Sequence, residues 1–335
     1  MPTSDGHRFV NLDGWRGISI LLVLASHLLP LGPDAWELNL AAGLLGMACF
    51  FTLSGFLVTH FLLEHASTLD FLLRRIFRIV PLAWLFMALS LAVSQVPGEV
   101  WRAHFFFYAN LPPKPLTPLT EHLWSLCVEM HFYLGVALLH LLFRERGLRL
   151  LPLICILITL GRIAASAHFS PVTWFRIDEI LVGAVLALIY QQPAEAWGRR
   201  SLAQLHPLMI LPFLLLSCHP AGGWITYLRP YFAALLIGTT LFQAHTPLAP
   251  LLRHHVLVYI ASISYALYVL HPALALSWLG EGETLEKYLK RPLLFIALFA
   301  LAHLSTHYFE QPCIRFGKWL SARLRAALRG PLLEK

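Results

Sequence analysis

Arg16 and His27 stand eleven residues apart in GWRGISILLVLASH, a stretch otherwise almost free of ionisable groups. An α-helix turns ~100° per residue, so eleven positions return to within about 20° of the starting face and climb ~16 Å. A cation and a titratable imidazole therefore share one stripe of an apolar helix at two depths. Ionisable groups in that setting face a cavity or a partner, and their default reading is a functional site. A snorkelling arginine with a hydrogen-bonded core histidine is the structural alternative.

Two further stretches concentrate polar chemistry. In HLWSLCVEMHFY, the i, i+4 spacing puts Ser125, Glu129 and Phe132/Tyr133 on one helix face, with Trp124 where interfacial aromatics gather. A buried Glu129 could orient and charge-stabilise an imidazole, or bind substrate hydroxyls. FLLRRIFRIVP supplies Arg74, Arg75 and Arg78, a set suited to bidentate binding of phosphates, or equally to anchoring at a cytoplasmic membrane face. His303 and His307 have metal-ligand spacing, but no third ligand accompanies them and no metal is expected. Walker, GxGxxG, HExxH and GxSxG motifs are absent.

The elements that must position these residues are membrane helices. The chain of 335 residues is 58% hydrophobic and 13% charged, with a mean hydropathy of +0.66. A soluble globule would carry about a quarter charged residues. Ten apolar segments are predicted as spans: 15–32, 40–63, 78–96, 122–143, 149–166, 173–190, 205–219, 229–243, 255–278 and 291–310. The seventh and eighth are short, in the manner of a tilted or re-entrant hairpin. The expected architecture is all-α, about ten transmembrane helices in one bundle over 1–335, with a basic cytoplasmic tail from about 311.

With the N-terminus inside, 17 of the 25 Lys and Arg fall at cytoplasmic ends, among them Arg8, Arg329 and Lys335. That bias places both termini in the cytoplasm and makes the net charge of +7 a matter of topology, not of nucleic-acid binding. It could also serve an anionic cytosolic ligand. This topology puts His27 ~7 Å and Glu129 ~10 Å below the outer boundary, with Arg162, Arg176, Asp178 and His271 in the outer third. Six ionisable groups at one level are expected to surround a polar cavity open to the outside. The five scattered cysteines read as membrane-core residues, with neither disulfide nor zinc spacing.

Several segments, in order, resemble the bacterial acyltransferase-3 family of membrane-bound carbohydrate O-acyltransferases. They are LDGWRGISILLVLASH, FFTLSGF, RRIFRIVP, WSLCVEMHFY, FRIDEILVG, SYALYVLHP and YFEQP. The likeness is to a stand-alone member without an SGNH esterase-like domain. It implies transfer of an acyl group, often acetyl, from cytosolic acyl-CoA to a hydroxyl of a carbohydrate or glycoconjugate at the outer face of the bacterial inner membrane. Lipopolysaccharide, exopolysaccharide and peptidoglycan are among the family's acceptors. Carried onto this chain, it makes Arg16 and His27 the essential pair of the first span and Glu129 the acid of WSLxxE. It also makes Arg75 and Arg78, beside Arg74, the donor-binding positions. The mechanism expected is His27 as general base in direct transfer, with a ping-pong route through an acylated His27 or Ser125 as the alternative. Arg176 or Trp124 would stabilise the oxyanion or substrate, and Ser125, Tyr133, Asp178 and His271 would line the substrate site. The rival reading is a secondary transporter or exporter of a small polar or acylated metabolite, although no inverted repeat accompanies the Arg16/His27 pair.

Overall fold

The computed structural model describes residues 9–65, 67–243 and 246–329; Arg8, Lys335 and the side chain of Arg329 lie outside the described residues. Among these residues the chain is all-helical, with no strand. In order, the helices are α1 (Val10–Leu28), α2 (Leu38–His65), α3 (Thr68–Ser94), α4 (Gly98–Phe105), α5 (Trp124–Phe143), α6 (Glu145–Leu148), α7 (Leu151–Ala164) and α8 (Asp178–Tyr190). They continue as α9 (Trp197–Gln204), α10 (Pro207–Cys218), α11 (Arg229–Phe242), α12 (Ala249–Leu252), α13 (His255–Ala275), α14 (Thr284–Leu304) and α15 (Gln311–Arg329).

Among the described residues seven helical stretches are long and apolar enough to cross a membrane, or eight if α9 and α10, bent by 92° at their junction, form one broken span. The sequence reading counts ten. The difference includes α1, whose apolar run is interrupted by Asp13, Arg16 and His27, and α8, which has only 13 residues. The last span continues from Leu285 to Ala327 through a π-helical turn at Ser305–Glu310. The region expected as a basic tail is thus helical, as α15, as far as Arg329.

The described residues group into two compact units. The first draws on described residues within 9–57, 151–170 and 177–268, the second on those within 58–150, 171–176 and 269–329. The core of the first is a cluster that includes Leu12, Trp15, Cys49, Leu53, Phe56, Leu186, Leu214 and Ile237. There α2 and α8 meet backbone to backbone. A Cβ on Gly55 would stand 1.9 Å from the Ile180 carbonyl oxygen, and one on Gly183 2.0 Å from that of Thr52. The glycines of FFTLSGF and FRIDEILVG are thereby explained by close approach. In the second unit α3 packs along α15 and against α5. All five cysteines are free thiols, four of them buried.

Candidate active site

His27 lies in the last turn of α1 because Pro30 ends the helix early. The residue before proline is driven to extended backbone, and Leu29 adopts φ −122° and ψ 147°. The helix stops at Leu28, four residues short of the predicted end of the span, and the His27 side chain is exposed. Asn39, in the first turn of α2, holds this terminus. Its side-chain amide donates to the carbonyls of Ser26 at 2.8 Å and Leu29 at 2.7 Å, and its oxygen accepts from the Leu31 amide at 3.2 Å. These bonds satisfy carbonyls that a helix end leaves without internal partners, and they flank His27 on both sides. Arg16 is half-buried, with Nη1 3.9 Å from Asp13 Oδ1 one turn earlier.

Asp178 is fully buried at the start of α8. It accepts from Arg162 Nη1 at 2.5 Å and from Thr159 Oγ1 at 3.1 Å, both on α7. Its neighbour Glu179 accepts from Arg229 Nε at 2.8 Å, again with both side chains fully buried. Arg229 is thus an interior residue. Two adjacent carboxylates leave the same helix end and each takes its own arginine. Charges removed from water in this way need such partners. Arg162 and Asp178, expected on a cavity wall, are bound to each other.

In the second unit Arg74, Arg75 and Arg78 of α3 line a cavity of about 190 Å³ together with Phe61, Phe71, Ile314 and Lys318. Arg74 is tied to Asp70 at 2.8 Å and lies over the Phe61 ring, 5.5 Å from its centroid. Arg75 lies over the Tyr133 ring at 5.6 Å, and Arg78 is exposed. Tyr133 in turn donates its hydroxyl to Glu129, one turn back on α5. Glu129 and Ser125 are both buried, on successive turns of that helix. The chain of contacts Arg75–Tyr133–Glu129 runs from the cationic cavity to the buried carboxylate.

The other expected residues of this unit form pairs. Arg176, buried after the turn Thr173–Phe175, has its guanidinium 5.2 Å from the centroid of the Trp124 ring. His271 is buried edge-on to His122, their ring centroids 5.2 Å apart, and His122 meets Phe86 at 5.6 Å. A guanidinium stacked on indole gains cation–π energy while still presenting N–H donors. Within one unit, then, lie the three arginines, Trp124, Ser125, Glu129, Tyr133, Arg176 and His271, while Arg16, His27 and Asp178 belong to the other. Sequence reasoning missed Asn39, Glu179, Lys318 and the pairing of Arg229. Of these only Asn39 carried a local signal, as a polar residue in the first turn of an apolar helix.

Seven or eight helical stretches long and apolar enough to cross a membrane, among the described residues, mark a polytopic membrane protein. The chain belongs to the acyltransferase-3 family, whose profile, described as an acyltransferase domain, matches residues 9–307. It is similar to nodulation protein 10 of Rhizobium leguminosarum bv. viciae, 26% identical over 96% of this chain and 97% of that one. It is also 24% identical to the peptidoglycan O-acetyltransferase OatA of Listeria monocytogenes, over 92% of this chain and 56% of the relative. The O-acetyltransferase OatA of Staphylococcus aureus (strain COL) is 26% identical over 53% of this chain and 34% of its own length. The chain thus spans nearly all of the first relative and roughly half or less of the other two. No solved structure matches it significantly.

Proposed function

We propose that this chain is a membrane O-acyltransferase of the bacterial plasma membrane that moves an acyl group, acetyl in the simplest case, from cytosolic acyl-CoA to a carbohydrate hydroxyl at the outer face. The observation that carries the reading is the cavity lined by Arg74, Arg75 and Arg78, set beside a buried carboxylate–tyrosine pair in a member of an acyltransferase family. Guanidinium groups bind phosphate oxygens bidentately, and the donor brings several phosphates. The relatives' names support a polymeric carbohydrate as acceptor, with peptidoglycan the first to test.

In the proposed reaction neutral His27 takes the proton of the acceptor hydroxyl as its oxygen attacks the thioester carbonyl. The carbon–sulfur bond breaks and the proton ends on the departing thiolate, leaving an ester and free CoA. Arg16 supplies positive charge on the stripe of His27. Glu129 and Tyr133 orient the acceptor. Arg176 on Trp124 stabilises the oxyanion or holds the sugar. Asp178 acts through Arg162 by fixing the α7–α8 corner.

The test is mass spectrometry of surface glycans from cells producing wild type, His27→Ala or no protein. The expected result is an added mass of ~42 Da, for acetyl, with wild type alone. Equal acylation by His27→Ala sinks the general-base assignment. No acylation by membrane-inserted wild type on any glycan tested, with no acetyl-CoA binding, sinks the enzyme reading.

A further inference from the structure

The cavity that carries the three arginines has one wall from a helix beyond the family's matched residues. The match ends at residue 307, while Ile314 and Lys318 of α15 close the cavity opposite α3. Two features bring α15 there. Gly317 lies against Phe77, where a Cβ would stand 2.6 Å from the Phe77 Cβ, so any larger residue would push the helix away. One turn further on, Ser321 donates its hydroxyl to Asp70, and Arg325 Nη1 lies 3.7 Å from the same carboxylate. Asp70 is fully buried and also holds Arg74, so one side chain fixes both a cavity arginine and the helix that faces it. Lys318 follows directly on the contact glycine, exposed on the cavity side.

Four cations therefore converge on one cavity. Its nearby carboxylates are Asp70, bound to Arg74 and α15; Glu310, which accepts from Thr306 at 2.9 Å; and Glu129, which accepts from Tyr133; the last two lie in the field of Arg78. The positive surplus, the apolar floor of Phe61 and Phe71, and the small volume suit a phosphate ester with an organic substituent. We propose that Lys318 is a fourth cationic ligand of this cavity, holding with Arg75 and Arg78 a phosphate ester of the acyl donor. The inference rests on the donor reading above. It adds that α15 is part of the binding site, with Asp70 as the residue that positions it.

Calorimetric titration of the full chain in phosphatidylcholine nanodiscs, with acetyl-CoA as probe, tests it. Loss of one charge-assisted contact predicts about ten-fold weaker binding for Lys318→Ala, with Lys318→Arg near wild type. Wild-type binding that Lys318→Ala leaves unchanged overturns the role of Lys318 and leaves the donor reading standing. Failure of the wild type to bind overturns both. A phospholipid headgroup has the same phosphate-ester chemistry. If native mass spectrometry from phosphatidylglycerol nanodiscs shows lipid retention lost in Lys318→Ala while acetyl-CoA binding is unaffected, the occupant is the headgroup and the donor assignment falls.

Discussion

Tyr133 stands one helical turn beyond Glu129 on α5 and donates its hydroxyl to that carboxylate. Its ring also carries Arg75 on one face and meets Phe71 edge-on at 5.9 Å. A single residue thus couples the cavity wall to the buried acid, and the two functions separate on substitution. Tyr133→Phe keeps the ring and loses the hydroxyl. Acyl transfer is expected to fall about ten-fold or more, the scale of a lost hydrogen bond to a buried charge, while acetyl-CoA affinity changes less than two-fold. Turnover and titration on the same preparation check both halves. Equal loss in both would place Tyr133 in donor binding alone.

Asn39 fixes the end of α1 through two carbonyls that flank His27. Asn39→Asp preserves size and removes the donors, so it should behave like Asn39→Ala. Both are expected to slow acyl transfer by at least about ten-fold, because a catalytic group displaced by ~1 Å loses that much or more. Each should lower the unfolding midpoint by only a few degrees. Activity lost strictly in proportion to folded protein would argue for a structural role only.

Arg162 and Asp178 form a buried pair whose halves cannot be removed singly at small cost. Asp178→Asn or Arg162→Met is expected to destabilise the protein by about 3–5 kcal/mol by stranding a charge. Replacing both with apolar residues should recover most of the loss. A double-mutant cycle on thermal unfolding in detergent reads the coupling, and additive losses would refute it.

His104 gives a pH dependence of known sign. It is buried on α4, which is not among the candidate spans; its Nδ1 lies 2.8 Å from the Val100 carbonyl and its Nε2 2.8 Å from Thr120 Oγ1. Burial lowers its pKa below the ordinary 6.5, and the Val100 carbonyl opposes that shift. The unfolded chain therefore binds this proton first on acidification. The group's contribution is complete above about pH 6.5 and is lost as pH falls toward the folded value, by at most about 1.4 kcal/mol per pH unit. Unfolding midpoints between pH 7.5 and 5.5 should fall more steeply for wild type than for His104→Gln.

Periodicity and charge alone made the apolar helices and the Arg74/Arg75/Arg78 stripe legible, because both depend on near neighbours along the chain. The end of α1 was legible only in part: Leu29-Pro30 marks a helix stop, yet hydropathy carried the predicted span to Gly32. Partner choice was not legible. Arg229 looks like any loop cation until Glu179 is seen beside it, and Lys318 resembles anchoring charge until α15 folds back on α3. A polar residue's type states what it can bind, whereas its partner is set by tertiary packing from distant sequence. The same limit hid the pairing of Asp178 with Arg162, a bond between two residues expected on a cavity wall.

The shortness of α8 bears on the barrier any cargo must cross. Its 13 residues make a rod of about 20 Å, against a hydrocarbon layer of about 30 Å. No side chain caps its first turn; what lies buried there are two ion pairs, Arg162–Asp178 and Arg229–Glu179, whose charges are held within the protein. Other segments of the protein must fill the remaining third or so of that thickness beside α8. On the proposed function, an acyl group passed beside α8 would meet protein side chains, not lipid tails, over that remainder.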